Sequence, residues 1–160
     1  MLIRPFEARD AEAVAAILIP TIRAGETLAH PRDMAPDDAV ALWTSAERET
    51  FVAEADGAVV GIYYLRRNQD GGGAHVANCG YATAAGQTGK GVARAMCEHS
   101  IMRARERGFA AIQFNFVVST NERAVALWQS CGFEIVGRLP GAFRHPVLGD
   151  VDALVMYRRV

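Results

Sequence analysis

The run Gln87-Thr88-Gly89-Lys90-Gly91-Val92-Ala93-Arg94 joins a β-rich stretch, Val76 to Thr83, to an amphipathic helical stretch from Val92 to Arg107. Gly89, Gly91 and Ala93 leave the start of that helix almost bare of side chains, so a bulky ligand can come close to the backbone. The first N–H groups of a helix have no partner within it and lie at the positive end of its dipole. Such a start suits a phosphate. Two phosphate loops fail on the residues. A nucleotide P-loop needs Ser or Thr after Gly-Lys to hold magnesium, and here Gly91 follows Lys90. The dinucleotide fingerprint Gly-x-Gly-x-x-Gly matches at Gly89 and Gly91 but meets Arg94 at its third glycine. A glycine-rich turn with no ligand is the remaining bland reading.

The other chemistry-bearing residues are scattered. Cys79, Cys97 and Cys131 are odd in number, lie in apolar segments and are expected to be buried free thiols. No Cys or His spacing matches a metal site, so no metal is expected. Asn115 stands between Phe114 and Phe116, where alternation points it either to a site or to solvent. Asn78 is either a site residue or a cross-strand hydrogen-bond partner, and Asn121 either belongs to a helix start or reaches a ligand. Trp128 fits a core, a site edge or both. Glu26 could hold an ammonium group or be a solvated loop carboxylate, and Lys90 could reach a phosphate or be solvated. His75 follows a glycine-rich tip and is expected to be exposed; His30 and His145 each precede Pro and are expected in loops.

The elements that must position these residues follow from periodicity and punctuation. Leu2 to Phe6 reads as a strand. Asp10 is placed to cap a helix with the stripe Val14, Ile17, Leu18 and Ile22, in which Pro20 predicts a kink or break and Gly25 an end. Pro36 opens a second helix running to about Glu47. Phe51 to Ala55 and Ala58 to Leu65 flank Asp56-Gly57, a hairpin signal. A flexible tip, Asn68 to Gly73, precedes a strand from Ala74 to Thr83. The third helix ends at Gly108 in a left-handed cap, with Phe109 packing back. Ala111 to Val118 is a strand, Ser119 and Glu122 have capping-box spacing, and the next helix buries Ala124, Leu127, Trp128 and Cys131. Strands near Glu134 to Arg138 and Val151 to Arg158 finish the chain. The order β-α-α-β-β-β-α-β-α-β-β predicts an α/β (α+β) fold: a mixed sheet of about six to seven strands with helices on both faces.

Bulk composition sets limits on function. The 160 residues fit one domain, residues 1–160. A formal net charge of −1 offers no general attraction to nucleic acid or to an anionic membrane. No apolar run reaches the length of a membrane span. The start Met1-Leu2-Ile3-Arg4-Pro5 lacks signal-peptide architecture, and with free thiols a cytoplasmic setting is expected.

The segment Thr88-x-x-Gly91-x-Ala93 resembles the pyrophosphate loop of the GNAT superfamily of N-acetyltransferases, Arg/Gln-x-x-Gly-x-Gly/Ala between the fourth strand and third helix. Thr88 departs from the family's Arg/Gln, with Gln87 one residue early, so the backbone amides carry the match. Asn121-x-x-Ala124-x-x-Leu127-Trp128-x-x-Cys131-Gly132-Phe133 resembles the family's Asn-x-x-Ala-x-x-Leu-Tyr-x-x-x-Gly-Phe segment. The element order agrees over nearly the whole chain. The resemblance implies acetyl-CoA as cosubstrate and direct acetyl transfer to an amine. It places the pyrophosphate on Thr88, Gly89, Lys90, Gly91, Val92, Ala93 and Arg94, and the pantetheine arm beside Tyr81, Ala82 and Thr83, with Asn121 and Trp128 completing the cofactor contacts. It also implies a slot between two strands splayed after a bulge, for which Gly80 is the expected place.

The Pro20 to Pro31 region, with Ala24-Gly25-Glu26-Thr27, and Cys79-Gly80-Tyr81 resemble the phosphinothricin-acetyltransferase-like branch; Asn78, Asn115, Asn121 and Trp128 resemble the branch of the fungal azetidine-2-carboxylate acetyltransferases. The usual glutamate base of the phosphinothricin-like branch falls on Ala77, or on Asn78 after a one-residue shift, and the family's tyrosine acid falls on Trp128. The implied roles are Asn78 and Asn115 as catalytic orienters of substrate or water, and Glu26, Asn78 and Asn115 as substrate contacts, without a conventional acid–base pair. The implied partners are a small amine, an amino acid or its analogue, and a second copy in a homodimer. A non-catalytic acyl-CoA sensor and a protein N-acetyltransferase are the alternatives.

Overall fold

The computed structural model describes residues 1–160. The elements are β1 (Leu2–Pro5), α1 (Ala11–Ala24), α2 (Pro36–Trp43), β2 (Glu49–Ala55), β3 (Ala58–Arg67), β4 (Val76–Thr83), α3 (Val92–Glu106), β5 (Ala111–Val118), α4 (Glu122–Ser130), β6 (Glu134–His145) and β7 (Gly149–Arg159). The strands form one mixed sheet in the order β1-β2-β3-β4-β5-β7-β6. All neighbours are antiparallel except β4 and β5, which are joined through the α3 crossover.

Strand alternation sorts the core onto two faces. Phe51, Tyr63, Ala77, Cys79 and Phe114 pack with α3 and α4, while Val52, Ile62 and Ala82 pack with α1 and α2. Asp56 and Gly57 both have positive φ, as the two-residue hairpin requires. Helices α3 and α4 end alike. Phe109 N–H bonds Ala104 O and Gly108 N–H bonds Arg105 O, while Phe133 and Gly132 repeat this on Trp128 and Gln129.

Several local expectations fail for identifiable reasons. Helix α1 runs unbroken through Pro20. Pro20 and Ala16 are both on the exposed side, so the carbonyl that loses its donor faces water. Asp10 does not cap α1 with its side chain. Its buried carboxylate instead takes two bonds from Arg4 and one from Glu7 N–H, and the Arg4 bonds hold its pKa below the usual value. Helix α2 stops at Trp43, before Glu47, because the Thr44 hydroxyl and the Arg48 guanidinium take its last carbonyls, Val40 O and Leu42 O. The Ser119–Glu122 capping box does not form, and α4 starts from Asn121 without a side-chain cap. The glycine tip contains a short 3-10 turn, Gly71–Gly73. Strand β6 extends to His145 through Pro140; it is the sheet edge, where a missing N–H is tolerated.

Candidate active site

The site sits where β4 and β5 part. Only Val76–Ala111 and Ala77–Ile112 are paired between them, yet both strands continue to Thr83 and Val118. The next carbonyl on β5, that of Gln113, is taken by the Asn78 side chain at 3.0 Å. Asn78 is 5% exposed and also accepts a long bond from Arg66 Nε, 3.4 Å. The strand distortion is on β5 and not at Gly80. Phe114 pairs with Met156 and Val117 with Leu154, leaving one residue too many on β5, so Asn115 and Phe116 leave the ladder as a bulge. Gly80 stays in regular register opposite Tyr64. Its bareness serves close packing, since a Cβ there would lie 2.6 Å from the Tyr64 ring.

Beyond Ala77 the β5-facing edge of β4 is free, and Tyr81, Ala82 and Thr83 pair only with β3. The chain then turns through Gly86, Gly89 and Gly91, all with positive φ. The first bond of α3 runs from Ala95 N–H to Gly91 O, so the amides of Gly91, Val92, Ala93 and Arg94 precede it without a backbone acceptor. Lys90 N–H closes the turn on Gln87 O. Thr88, Gly89, Gly91, Val92, Ala93 and Arg94 line a cavity of about 520 Å³ that also receives Tyr81, Ala82, Thr83, Asn121 and Trp128. Lys90 does not line it, whereas Arg123 does. Arg94 is turned to Ser130 Oγ, 2.8 Å. No carboxylate lines this cavity. Free amides, arginine and an unpaired strand edge together fit a diphosphate carrying an amide-bearing arm.

A second cavity, of about 300 Å³, opens on the α1–α2 side. It meets the first at Thr27, Tyr81, Asn121, Ala124 and Trp128, which line both. Asn78 and Asn115 line it. Asn115 donates to Asn68 at 2.6 Å and accepts from Gln113 at 2.9 Å. Trp128, 8% exposed, lies tilted against Tyr81 with ring centroids 4.8 Å apart and meets Phe114 edge-on, so it is core and site wall at once. Ala77 is fully buried on the α3 face, and it is Asn78 that faces the cavity. Glu26 is not brought into it; that residue is exposed beside Pro20, Thr83 and Ala85.

Arg66, His30, Trp43 and Tyr64 complete the second cavity, and sequence reasoning missed all four. Arg66 pairs across the hairpin with Asn78, so strand register alone puts them on one face once the turn length is known. Arg66 makes no ion pair. His30 Nε2 accepts the Trp43 indole N–H at 3.2 Å, which places the ring hydrogen of neutral His30 on Nδ1. Burial, then the Arg48 charge, lowers the His30 pKa. Burial raises Tyr64, lifts Cys79 to about 12 and holds Tyr81 well above its usual value. The Tyr81 hydroxyl points to Ser100 Oγ, 2.7 Å away. The cavity thus contains one fixed positive charge, neutral polar groups and no carboxylate.

A fold with a splayed parallel strand pair and an open helix start beside it defines a class, and comparison with known proteins agrees. Residues 15–133 match the family model described as "Acetyltransferase (GNAT) family". The chain belongs to that family of acetyl-CoA-dependent N-acetyltransferases. A GNAT-family acetyltransferase from Kribbella flavida is 40% identical, with a TM-score of 0.93 over 99% of this chain and 97% of that one. N-acetyltransferase aca1 from Schizosaccharomyces pombe is 29% identical over 101 residues, 61% of this chain and 47% of its own length. The chain thus spans about half the length of that relative. A phosphinothricin acetyltransferase from Sinorhizobium meliloti, solved in complex with acetyl-CoA, shares the fold at 18% identity, with a TM-score of 0.88 over 99% of this chain and 88% of that one.

Proposed function

We propose that this chain transfers an acetyl group from acetyl-CoA to the amine of an amino acid or close analogue, and that Arg66 receives the acceptor's carboxylate. The observation that carries this reading is an arginine without a carboxylate partner in a cavity that has no acid. A simple amine would bring a positive charge to that guanidinium, whereas an amino acid brings a carboxylate for its planar fork. Trp43, Tyr64 and Leu28 offer an apolar wall for the side chain. The branch reading, phosphinothricin-like with a leaning to cyclic amino acids, rests on Asn78, Asn115, Asn121 and Trp128.

Acetyl-CoA supplies a thioester: the amine nitrogen bonds to the acetyl carbon, the C–S bond breaks, and the amine's proton ends on solvent or the thiolate. An ammonium must lose its proton first. No carboxylate is at hand to take it, and His30 has its acceptor nitrogen engaged by Trp43. The neutral amine is therefore the form admitted. Asn78 and Asn115 orient it, or a water, through their amide groups, and Trp128 closes the wall between the two cavities.

Release of free CoA thiol with a panel of free amino acids, cyclic imino acids and methionine derivatives tests the proposal. Turnover of at least one, with no turnover of its decarboxylated amine, is the expected result. Binding of acetyl-CoA without turnover of any member would turn the reading toward a sensor.

A further inference from the structure

We infer that Arg123 is a cofactor-binding residue: from the first turn of α4 it closes the open side of the phosphate loop and grips the diphosphate of coenzyme A against the amides of α3. Its Nη2 lies 3.6 Å from the point a Cβ on Gly89 would occupy, and no other atom outside the loop lies within 4 Å of that point. The guanidinium therefore stands directly over the loop residue that has no side chain of its own. Arg123 lines the cofactor cavity together with Gly89, Gly91 and Arg94. It forms no salt bridge to any acid, although Glu122 is its neighbour in sequence.

The other cations of the region are differently placed. Arg94 is bonded to Ser130 and lies 3.9 Å from Glu98, and Lys90 is not in the cavity wall. Arg123 is thus the one cation of this cavity with all its donors free. Amides alone solvate a diphosphate without neutralising it; a planar guanidinium on the opposite side adds charge and two parallel N–H donors. The position also links cofactor to acceptor, because Asn121 and Ala124 on the same turn line both cavities. A filled phosphate site would thereby order the start of α4 against the junction.

Calorimetric titration of coenzyme A and of dephospho-coenzyme A into the wild-type chain, Arg123→Ala and Arg123→Gln tests this without any acceptor. Loss of a charged hydrogen bond is expected to weaken both ligands about tenfold or more, by a similar factor for each, with a shallower salt dependence. Arg105→Ala removes the same charge from an exposed position on α3 and is expected to stay within twofold. An unchanged melting temperature without ligand shows that the variant is folded, and Arg123→Gln serves if the alanine variant is not. Affinity within twofold of wild type in the folded variant overturns the inference. So does a loss seen with coenzyme A but absent with its dephospho form, which would move the contact to the 3′-phosphate. A wild-type chain that binds neither ligand would sink the cofactor assignment itself, a result distinct from either.

Discussion

Three residues decide how the acceptor cavity works, and each has a separable expected effect. Replacing Arg66 by Ala removes the only fixed charge there; KM for an amino-acid acceptor should rise roughly tenfold or more, with a smaller change in kcat. Steady-state kinetics check this, and an equal fall in kcat would mean that Arg66 acts on the reacting atoms. Asn78→Ala should act first on stability. It strips the Gln113 carbonyl of its donor at the point where β4 and β5 part, at about 1–2 kcal/mol, measurable by denaturant unfolding. Gly80→Ala places a methyl group against the Tyr64 ring, which must then swing toward the acceptor cavity; acceptor KM should rise while coenzyme A affinity holds. The sequence made Asn78 and Asn115 visible as odd polar residues in apolar strands. It could not separate their two readings, and Asn78 turns out to combine a cross-strand bond with a cavity face. Arg66 was hidden because its role depends on register across a glycine-rich turn, and His30 because its position depends on Trp43, a partner in another element.

At the scale of elements, the start of α3 matters most. Gly91 has φ +80° with open space around its Cβ position, so Gly91→Ala is opposed by backbone conformation alone, at about 1–2 kcal/mol. A lower melting temperature and weaker acetyl-CoA binding should appear together. This loop was legible from Gly89, Gly91 and Ala93 alone, since small residues before a helix have a backbone meaning that survives without tertiary information. The strand bulge was not legible. Gly80 looked like the weak point, but a bulge is set by how β5 meets β7, and no residue type marks it. Helix α3 also carries a titrating contact, His99 Nδ1 with the Tyr63 hydroxyl at 2.6 Å. Burial chiefly lowers the pKa of His99, as it does that of His30. A lowered histidine pKa means that the unfolded chain takes up protons first. The stability is therefore whole above about 6.5, the unfolded value, and is lost as pH falls below it. Unfolding measured between pH 7.5 and pH 5 should show a decline, and His99→Gln, which keeps an acceptor for Tyr63, should flatten part of it. A profile unchanged by that substitution would contradict the assignment.

For the molecule as a whole, five of the nine large exposed apolar residues lie along one sheet edge, while Leu2 is on β1 at the opposite edge. Ile135, Val136 and Leu139 on β6, with Val147 and Leu148 at the β6–β7 turn, are between 39% and 80% exposed. A homodimer of the kind the family resemblance implies would bury this edge. Sedimentation should then give a dimer that Val136→Lys or Leu148→Lys converts to monomer; a wild-type monomer at high concentration would exclude it. Overall architecture was the most legible level, because hairpin signals, two helix crossovers and repeated Gly-Phe helix ends fix the order of elements. The length of β6 was the least legible, since an edge strand tolerates the Pro140 that argued for its end.

The central claim is that an acceptor cavity with one unpaired arginine and no acid selects an amine that carries its own carboxylate. The most direct measurement compares kcat/KM for a free amino acid with that for the amine lacking only its carboxylate, both with acetyl-CoA, in the wild-type chain and in Arg66→Ala. The account predicts a strong preference for the amino acid that Arg66→Ala abolishes, mainly through KM. Equal rates for the two acceptors in the wild-type chain, or a preference that Arg66→Ala leaves intact, would contradict it.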